Sequence, residues 1–183
     1  MLLHTLLFLG ALQVINAFTI PAGTPNGVYT VSKSPTSGLD QHELISNITD
    51  TNHDLRNIQP STRAQSLPRL LRRDYKTECY SAKSLNPSDL DTANADLDRQ
   101  CGDGKQATFV PKGRNFYTVP GNTVAYDCNF GGDNLCDAGT RRARSAMITG
   151  LCGAYNSGGV ISTHSEHAYG YDAASAKFCG TGV

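Results

Sequence analysis

The sequence has no tryptophan, only two methionines and no surplus charge, with 16 Lys and Arg against 16 Asp and Glu in 183 residues. Nucleic-acid binders carry a basic excess that sets their affinity for phosphate, so nucleic acid is not expected as a partner. No run approaches the roughly 20 apolar residues that span a bilayer as a helix. Signatures of catalysis are also missing. There is no Gly-x-Ser-x-Gly elbow, no Cys-x-x-Cys pair of the kind that holds a metal, and Gly131-Gly132 lacks the Lys and helix of a phosphate-binding loop. Cysteine is absent from the first 78 residues, and all six copies fall between 79 and 179. Hydrophobic residues make up 39% and glycine occupies 18 positions, which suits a small loop-rich domain better than a large enzyme core.

The chain divides by composition. Residues 2–15 hold a short apolar run, Leu2-Leu3, then Leu6-Leu7-Phe8-Leu9 through Val14-Ile15, ending at the small Ala17. Its length is that of a signal peptide over residues 1–17, not of a membrane anchor, and predicts a secreted, extracellular protein. Residues 18–73 carry five of the eight prolines, many Ser, Thr and Asn residues and no cysteine. Such a segment buries too little apolar surface to offset its ordering entropy, so it is expected to be a largely disordered pro-segment. It ends in Leu70-Leu71-Arg72-Arg73, and a dibasic pair at this boundary predicts removal by a kexin-type protease after Arg73. Asn47-Ile48-Thr49 is an acceptor for N-glycosylation and lies inside the segment to be removed.

Cleavage after Arg73 leaves residues 74–183, with ten basic against twelve acidic side chains, a net charge of −2. Cys79, Cys101, Cys128, Cys136, Cys152 and Cys179 all lie there, an even number that reads as three disulfides. Sequence leaves fifteen pairings open. Asn86-Pro87 announces a helix by cap and first-turn proline. Leu90, Ala93, Leu97 and Cys101 recur at helical spacing before the stop at Gly102. A second helix is expected from about Asp137 to Cys152, with Ala143, Met147 and Leu151 on its apolar face and Gly153 as its stop. The turn Pro120-Gly121-Asn122 separates two β-prone runs, 116–119 and 123–126. Further strands are expected at 160–163, at 168–171 and near Cys79-Tyr80. This order predicts an α+β domain: a small disulfide-stabilised sandwich of split βαβ, ferredoxin-like type, with two helices on a mainly antiparallel sheet.

Leu97-Asp98-Arg99-Gln100-Cys101-Gly102, Gly121-Asn122-Thr123-Val124-Ala125-Tyr126, Cys152-Gly153, Tyr169-Gly170-Tyr171 and Phe178-Cys179-Gly180, in that order, resemble the killer-toxin-like small secreted cysteine-rich proteins of fungi. The resemblance covers about residues 76–180, and the leader with its dibasic site is similar to the prepro-organisation of such proteins. It implies a disulfide-linked α/β sandwich and a role as an effector in plant infection or as a toxin against competing fungi. No catalytic residue and no disulfide pairing is carried over.

Three clusters are candidates for chemistry or contact. His164, Glu166 and His167 form the densest group of acid, base or ligand side chains; on a strand His167 would point away from the other two, and most such groups on polar loops are simply solvated. Arg141, Arg142 and Arg144 offer a basic helix face that could meet an acidic partner, against the plainer reading of a solvated surface. Asp89, Asp91, Asp96 and Asp98 make the first helix acidic, so opposite charges could join two copies of the chain. No metal, cofactor or catalytic residue is implied. The expected function is that of a non-enzymatic effector or virulence protein binding a host protein or a second secreted effector. The alternatives are an antifungal toxin, the only reading with membrane contact, and a ribonuclease-like hydrolase centred on His164, Glu166 and His167. Oligomeric state is left open.

Overall fold

Both helices form where their caps lie. The computed structural model describes residues 17–48, 75–162 and 166–180. The expected signal peptide as far as Asn16, the dibasic pair Arg72-Arg73 and His164 lie outside the described residues. Helix α1 spans Pro87–Cys101, and the Asn86 side chain accepts the Asp89 N–H at 3.1 Å. Leu90, Ala93, Leu97 and Cys101 are buried as their spacing predicts. Gly102, at φ +69°, ends the helix with its N–H on the Asp98 carbonyl. Helix α2 spans Ala138–Cys152 and is capped by Asp137, whose carboxylate accepts the Thr140 N–H at 2.7 Å.

The buried face of α2 is not the expected one. Ala138, Arg141, Arg144 and Ile148 point inward, while Ala143 and Leu151 are exposed and Met147 is half-buried. A hydrophobicity pattern counts arginine as polar and therefore turns the helix outward at these positions. Here the two guanidiniums find partners in the interior, and Cys152 is tied to Cys79, which fixes the other orientation.

The strands are β1 (Gly27–Lys33), β2 (Asp40–Ser46), β3 (Tyr75–Cys79), β4 (Thr108–Val110), β5 (Asn115–Val119), β6 (Thr123–Asn129), β7 (Asn134–Cys136), β8 (Gly158–Ser162) and β9 (His167–Ala173). Seven make one sheet in the order β2-β1-β5-β6-β9-β8-β3, antiparallel at every junction, and β4 with β7 forms a separate ribbon. The architecture is thus α+β, with two helices on an antiparallel sheet. Nine strands among the described residues exceed the small ferredoxin-like sandwich that the sequence predicts. The added strands are the N-terminal hairpin and the short β4–β7 ribbon. Within the sheet β6 and β8 run parallel with β9 between them, joined by α2, whereas β3 lies at the far edge beyond β8.

Residues 17–48 are not the unstructured stretch expected from their composition. Val28-Tyr29-Thr30-Val31 is a β-branched and aromatic run, and β1 uses it to pair with β5 from Gly27↔Val119 to Val31↔Asn115. Phe18 adds an isolated bridge to Phe178, with backbone hydrogen bonds of 2.8 and 3.1 Å. The segment therefore buries apolar surface by borrowing the edge and face of the cysteine-rich domain, an option that its own composition does not reveal.

The sheet separates two cores. On one side α1 and α2 pack Leu90, Leu97 and Ile148 against Phe116, Val160, Tyr169 and Tyr171. On the other, no helix of the described residues intervenes, and Tyr117, Val124, Tyr126 and Phe178 meet Phe18, Tyr29 and Val31. Three disulfides staple the domain: Cys79–Cys152, Cys101–Cys136 and Cys128–Cys179, with Cα separations of 5.5, 4.6 and 5.4 Å. The first ties β3 to the end of α2, the second ties the end of α1 to β7, and the third fastens the C-terminal segment to β6. None reaches the N-terminal hairpin.

Candidate functional site

One member of the basic cluster and one histidine, Arg144 and His167, meet inside the molecule, and Arg141 is buried beside them on the same helix. Arg141 is 5% exposed. Its Nε and Nη2 clasp the two oxygens of Asp98, the second at 2.7 Å, and Nη1 donates to the Tyr169 hydroxyl at 2.8 Å and to Asn94 Oδ1 at 3.1 Å. The forked guanidinium matches a carboxylate in this bidentate way. Burial pushes the Tyr169 phenol up to about 12, the neighbouring Arg141 opposing the shift. Arg142 lies at the surface and pairs with Asp98 at 3.3 Å and Asp103 at 2.6 Å. The opposite charges of α1 and α2 thus meet within one chain, and Asp98 with its two arginines is not a free surface for a second copy.

Arg144 and His167 are equally interior. The Arg144 guanidinium lies 3.2 Å from His167 Nδ1, and His167 Nε2 lies 2.5 Å from Asp127 Oδ1. A guanidinium can only donate, so Nδ1 is the accepting nitrogen and Nε2 carries the proton given to Asp127. The imidazole bridges the Arg144 guanidinium and the Asp127 carboxyl group, and both of its nitrogens are committed. Arg144 also stacks over the Tyr75 ring at 5.4 Å. Glu166, by contrast, is exposed at the turn into β9, and His164 lies outside the described residues. The structure therefore places His167 and Glu166, neighbours in sequence, in different environments.

Above Arg144 and His167 opens a cleft of about 410 Å³ rimmed by Phe109, Leu135 and Thr140. Phe109 and Leu135 pair directly across the β4–β7 ribbon and remain more than half exposed. Asn47 is exposed just past β2, as a glycan acceptor has to be. Among the described residues one group of metal-ligating side chains comes together, Cys101, Asp127 and Cys136, but the Cys101–Cys136 disulfide leaves it no thiolate. No helix among the described residues is long and apolar enough to cross a membrane.

The sheet face on which no helix of the described residues lies holds the site that sequence reasoning missed. Tyr29 of β1 stacks on Tyr117 of β5 with ring centroids 5.1 Å apart, and Phe178 packs on Tyr117 and Tyr126 at 5.3 Å each. The Tyr117 hydroxyl and His42 Nδ1 on β2 share a hydrogen bond of 2.8 Å, and burial raises the Tyr117 phenol, so it keeps its proton. Asn115 Nδ2 donates to the Val31 carbonyl at 3.3 Å, and Asn26 Oδ1 accepts the Gly121 N–H at 3.0 Å. These aromatic residues are scattered from 18 to 178, and only the strand order assembles them. The one signal available was the run Val28–Val31.

The strength of this contact can be bounded. Phe18, Val28, Tyr29 and Val31 are buried, and at roughly 1.5–3 kcal/mol each they contribute about 6–12 kcal/mol. Docking a free segment costs about 4–15 kcal/mol in lost freedom. The two terms are of similar size, so the covalent link to the domain contributes a decisive share of the hold on the hairpin.

No protein family, no curated protein and no solved structure matches this chain.

Proposed function

We propose that this is a secreted, proteolytically matured binding protein, an effector whose working part is the disulfide-stapled domain of residues 74–183. The observation that carries the reading is a cysteine-free hairpin seated on the edge of that domain by side-chain and backbone contacts alone. All three disulfides lie on the far side of Arg73, so the domain keeps its staples when the chain is cut there. Disulfides of this density belong to an oxidising, extracellular setting. Action by binding rather than catalysis is supported by His167, whose two ring nitrogens are both engaged by Arg144 and Asp127. The target is a host protein or a second secreted effector, in line with the resemblance to killer-toxin-like fungal proteins.

Intact-mass analysis of the protein secreted from a fungal host, with and without reduction, tests this reading. A product beginning at Asp74 that gains about six mass units on reduction is the expected result. A product beginning at Phe18, or one carrying free thiols, overturns it. Applied to plant tissue and to fungal cultures, the product is expected to act on the first without arresting growth of the second; arrest of fungal growth would favour the toxin.

A further inference from the structure

The uncut chain carries its own ligand for the edge of its sheet. Strand β5 runs Asn115-Phe116-Tyr117-Thr118-Val119, uncharged throughout; all five residues are buried, and β1 pairs along its outer edge. The disulfide-stapled domain ends at β5 on this side, with β6, β9, β8 and β3 completing its sheet. Without the hairpin the backbone of β5 would face outward as unpaired donors and acceptors, and the rings of Tyr117 and Phe178 would lose Tyr29 and Phe18.

We infer that, once the chain is cut between the hairpin and the domain, the β5 edge is a binding site for an extended segment of a partner protein. That segment pairs antiparallel with Asn115–Val119 and lays an aromatic ring on Tyr117. The inference rests on the maturation reading above and names the surface that maturation uncovers. Strand addition of this kind draws affinity from main-chain hydrogen bonds and specificity from alternate side chains. The template for those side chains is β1: a ring at the Tyr29 position, stacked on Tyr117, and a β-branched residue at the Val31 position, two residues on and on the same face. The Tyr117 hydroxyl and the Asn115 amide, which hold His42 and the Val31 carbonyl in the uncut chain, are the polar groups left for the partner.

Cleavage changes the competition without changing a contact. Through the link of residues 49–74 the hairpin is present at an effective concentration on the order of millimolar. Once cut, it competes only at the concentration of the free fragment. At micromolar protein that is about a thousandfold weaker hold, enough for another strand to displace it.

The test uses the full chain in two forms: the natural sequence treated with a kexin-type protease, and a variant whose residues 67–73 are replaced by the recognition sequence of a site-specific viral protease. The probe is a dye-labelled synthetic peptide of residues 26–33, followed by fluorescence anisotropy, with size exclusion to follow the released fragment. The expected result is binding to the cut chain at least tenfold tighter than to the uncut chain, and weakened at least tenfold by Tyr29→Ala in the peptide. Equal binding before and after cleavage overturns the inference. So does a cut chain from which the 18–73 fragment never separates and into which the peptide never exchanges, since the hairpin is then a permanent second subunit. If the viral-protease form binds the peptide and the natural chain resists the kexin-type enzyme, the docking surface stands and maturation at Arg73 fails. If the natural chain is cut and the peptide is ignored, maturation stands and the docking surface fails.

Discussion

Replacing Arg141 by methionine tests whether the interior charges hold the two helices together. Methionine keeps most of the length of the side chain and removes the guanidinium. Asp98, whose side chain is 18% exposed, then loses its bidentate partner and keeps only the exposed Arg142. The Tyr169 hydroxyl and the Asn94 carbonyl oxygen lose a donor, the former at a fully buried position. Removing one partner of a buried pair costs about 3–5 kcal/mol, because the other charge is left uncompensated. In a chain of this size each kcal/mol shifts Tm by roughly 2–4 °C, so Arg141→Met is expected to lower it by about 6–20 °C. Arg142→Met, at a side chain 48% exposed, is the internal control and should cost about 0–1 kcal/mol. Adding Asp98→Asn to Arg141→Met should cost less than the two single changes summed, by about 0.5–3 kcal/mol of coupling. Urea and thermal unfolding followed by circular dichroism, with the disulfides intact, measure the four variants and the parent. Equal losses for Arg141→Met and Arg142→Met would refute the reasoning, since the buried guanidinium would then be no better held than an exposed one.

Asp137→Ala removes the cap of α2 and should destabilise by about 1 kcal/mol. The Thr140 N–H holds the Asp137 carboxyl below the usual carboxylate range, so this contribution is present above pH about 3.9 and lost as pH falls through the lower folded value; acid unfolding of the variant should converge on that of the parent. At His42, burial lowers the imidazole, with Asp40 opposing and Lys33 assisting, so the proton prefers the undocked state. Docking of β1 and β2 should therefore be at full strength above pH about 6.5 and weaken below it. Faster amide exchange in β1 at pH 5 than at pH 7.5, corrected for intrinsic rates and absent in His42→Phe, is the expected outcome. Removing the Cys79–Cys152 or Cys101–Cys136 bridge by paired serine substitutions should cost about 2–5 kcal/mol each in equilibrium unfolding. Their sequence separations of 73 and 35 differ by one doubling, so loop entropy alone separates them by only about 0.6 kcal/mol.

Helix α1 was legible because its cap, its first-turn proline, its four buried positions and its terminal glycine all agree. Helix α2 was legible in extent and misread in orientation. Arg141 and Arg144 register as surface residues until Asp98, Asp127 and His167 are known to face them, and those partners come from other elements. The β5–β6 hairpin was announced by its turn, and β8 and β9 by their β-branched and tyrosine content. Strands β4 and β7 are three residues each, too short for any periodicity. The β1–β2 hairpin was hidden for a different reason. Its segment is polar on average, and the surface that Tyr29 and Val31 bury belongs to residues about 90 positions away. Of the site, the pairing of charges was anticipated in kind, though between molecules; the aromatic face was not, because no local stretch contains it.

The outer strand of the hairpin has a consequence for how copies of the chain behave at high concentration. An exposed sheet edge is a template on which further chains add, and proteins guard such edges with charged side chains. Strand β2 carries Asp40 and Glu43 on the one edge of the uncut sheet, and β3 carries Lys76 and Glu78 on the other. Between them β5 has no charge at all. In the full chain the hairpin places a guarded edge over an unguarded one, and a chain made without residues 18–48 should form concentration-dependent, sheet-rich aggregates where the full chain remains dispersed.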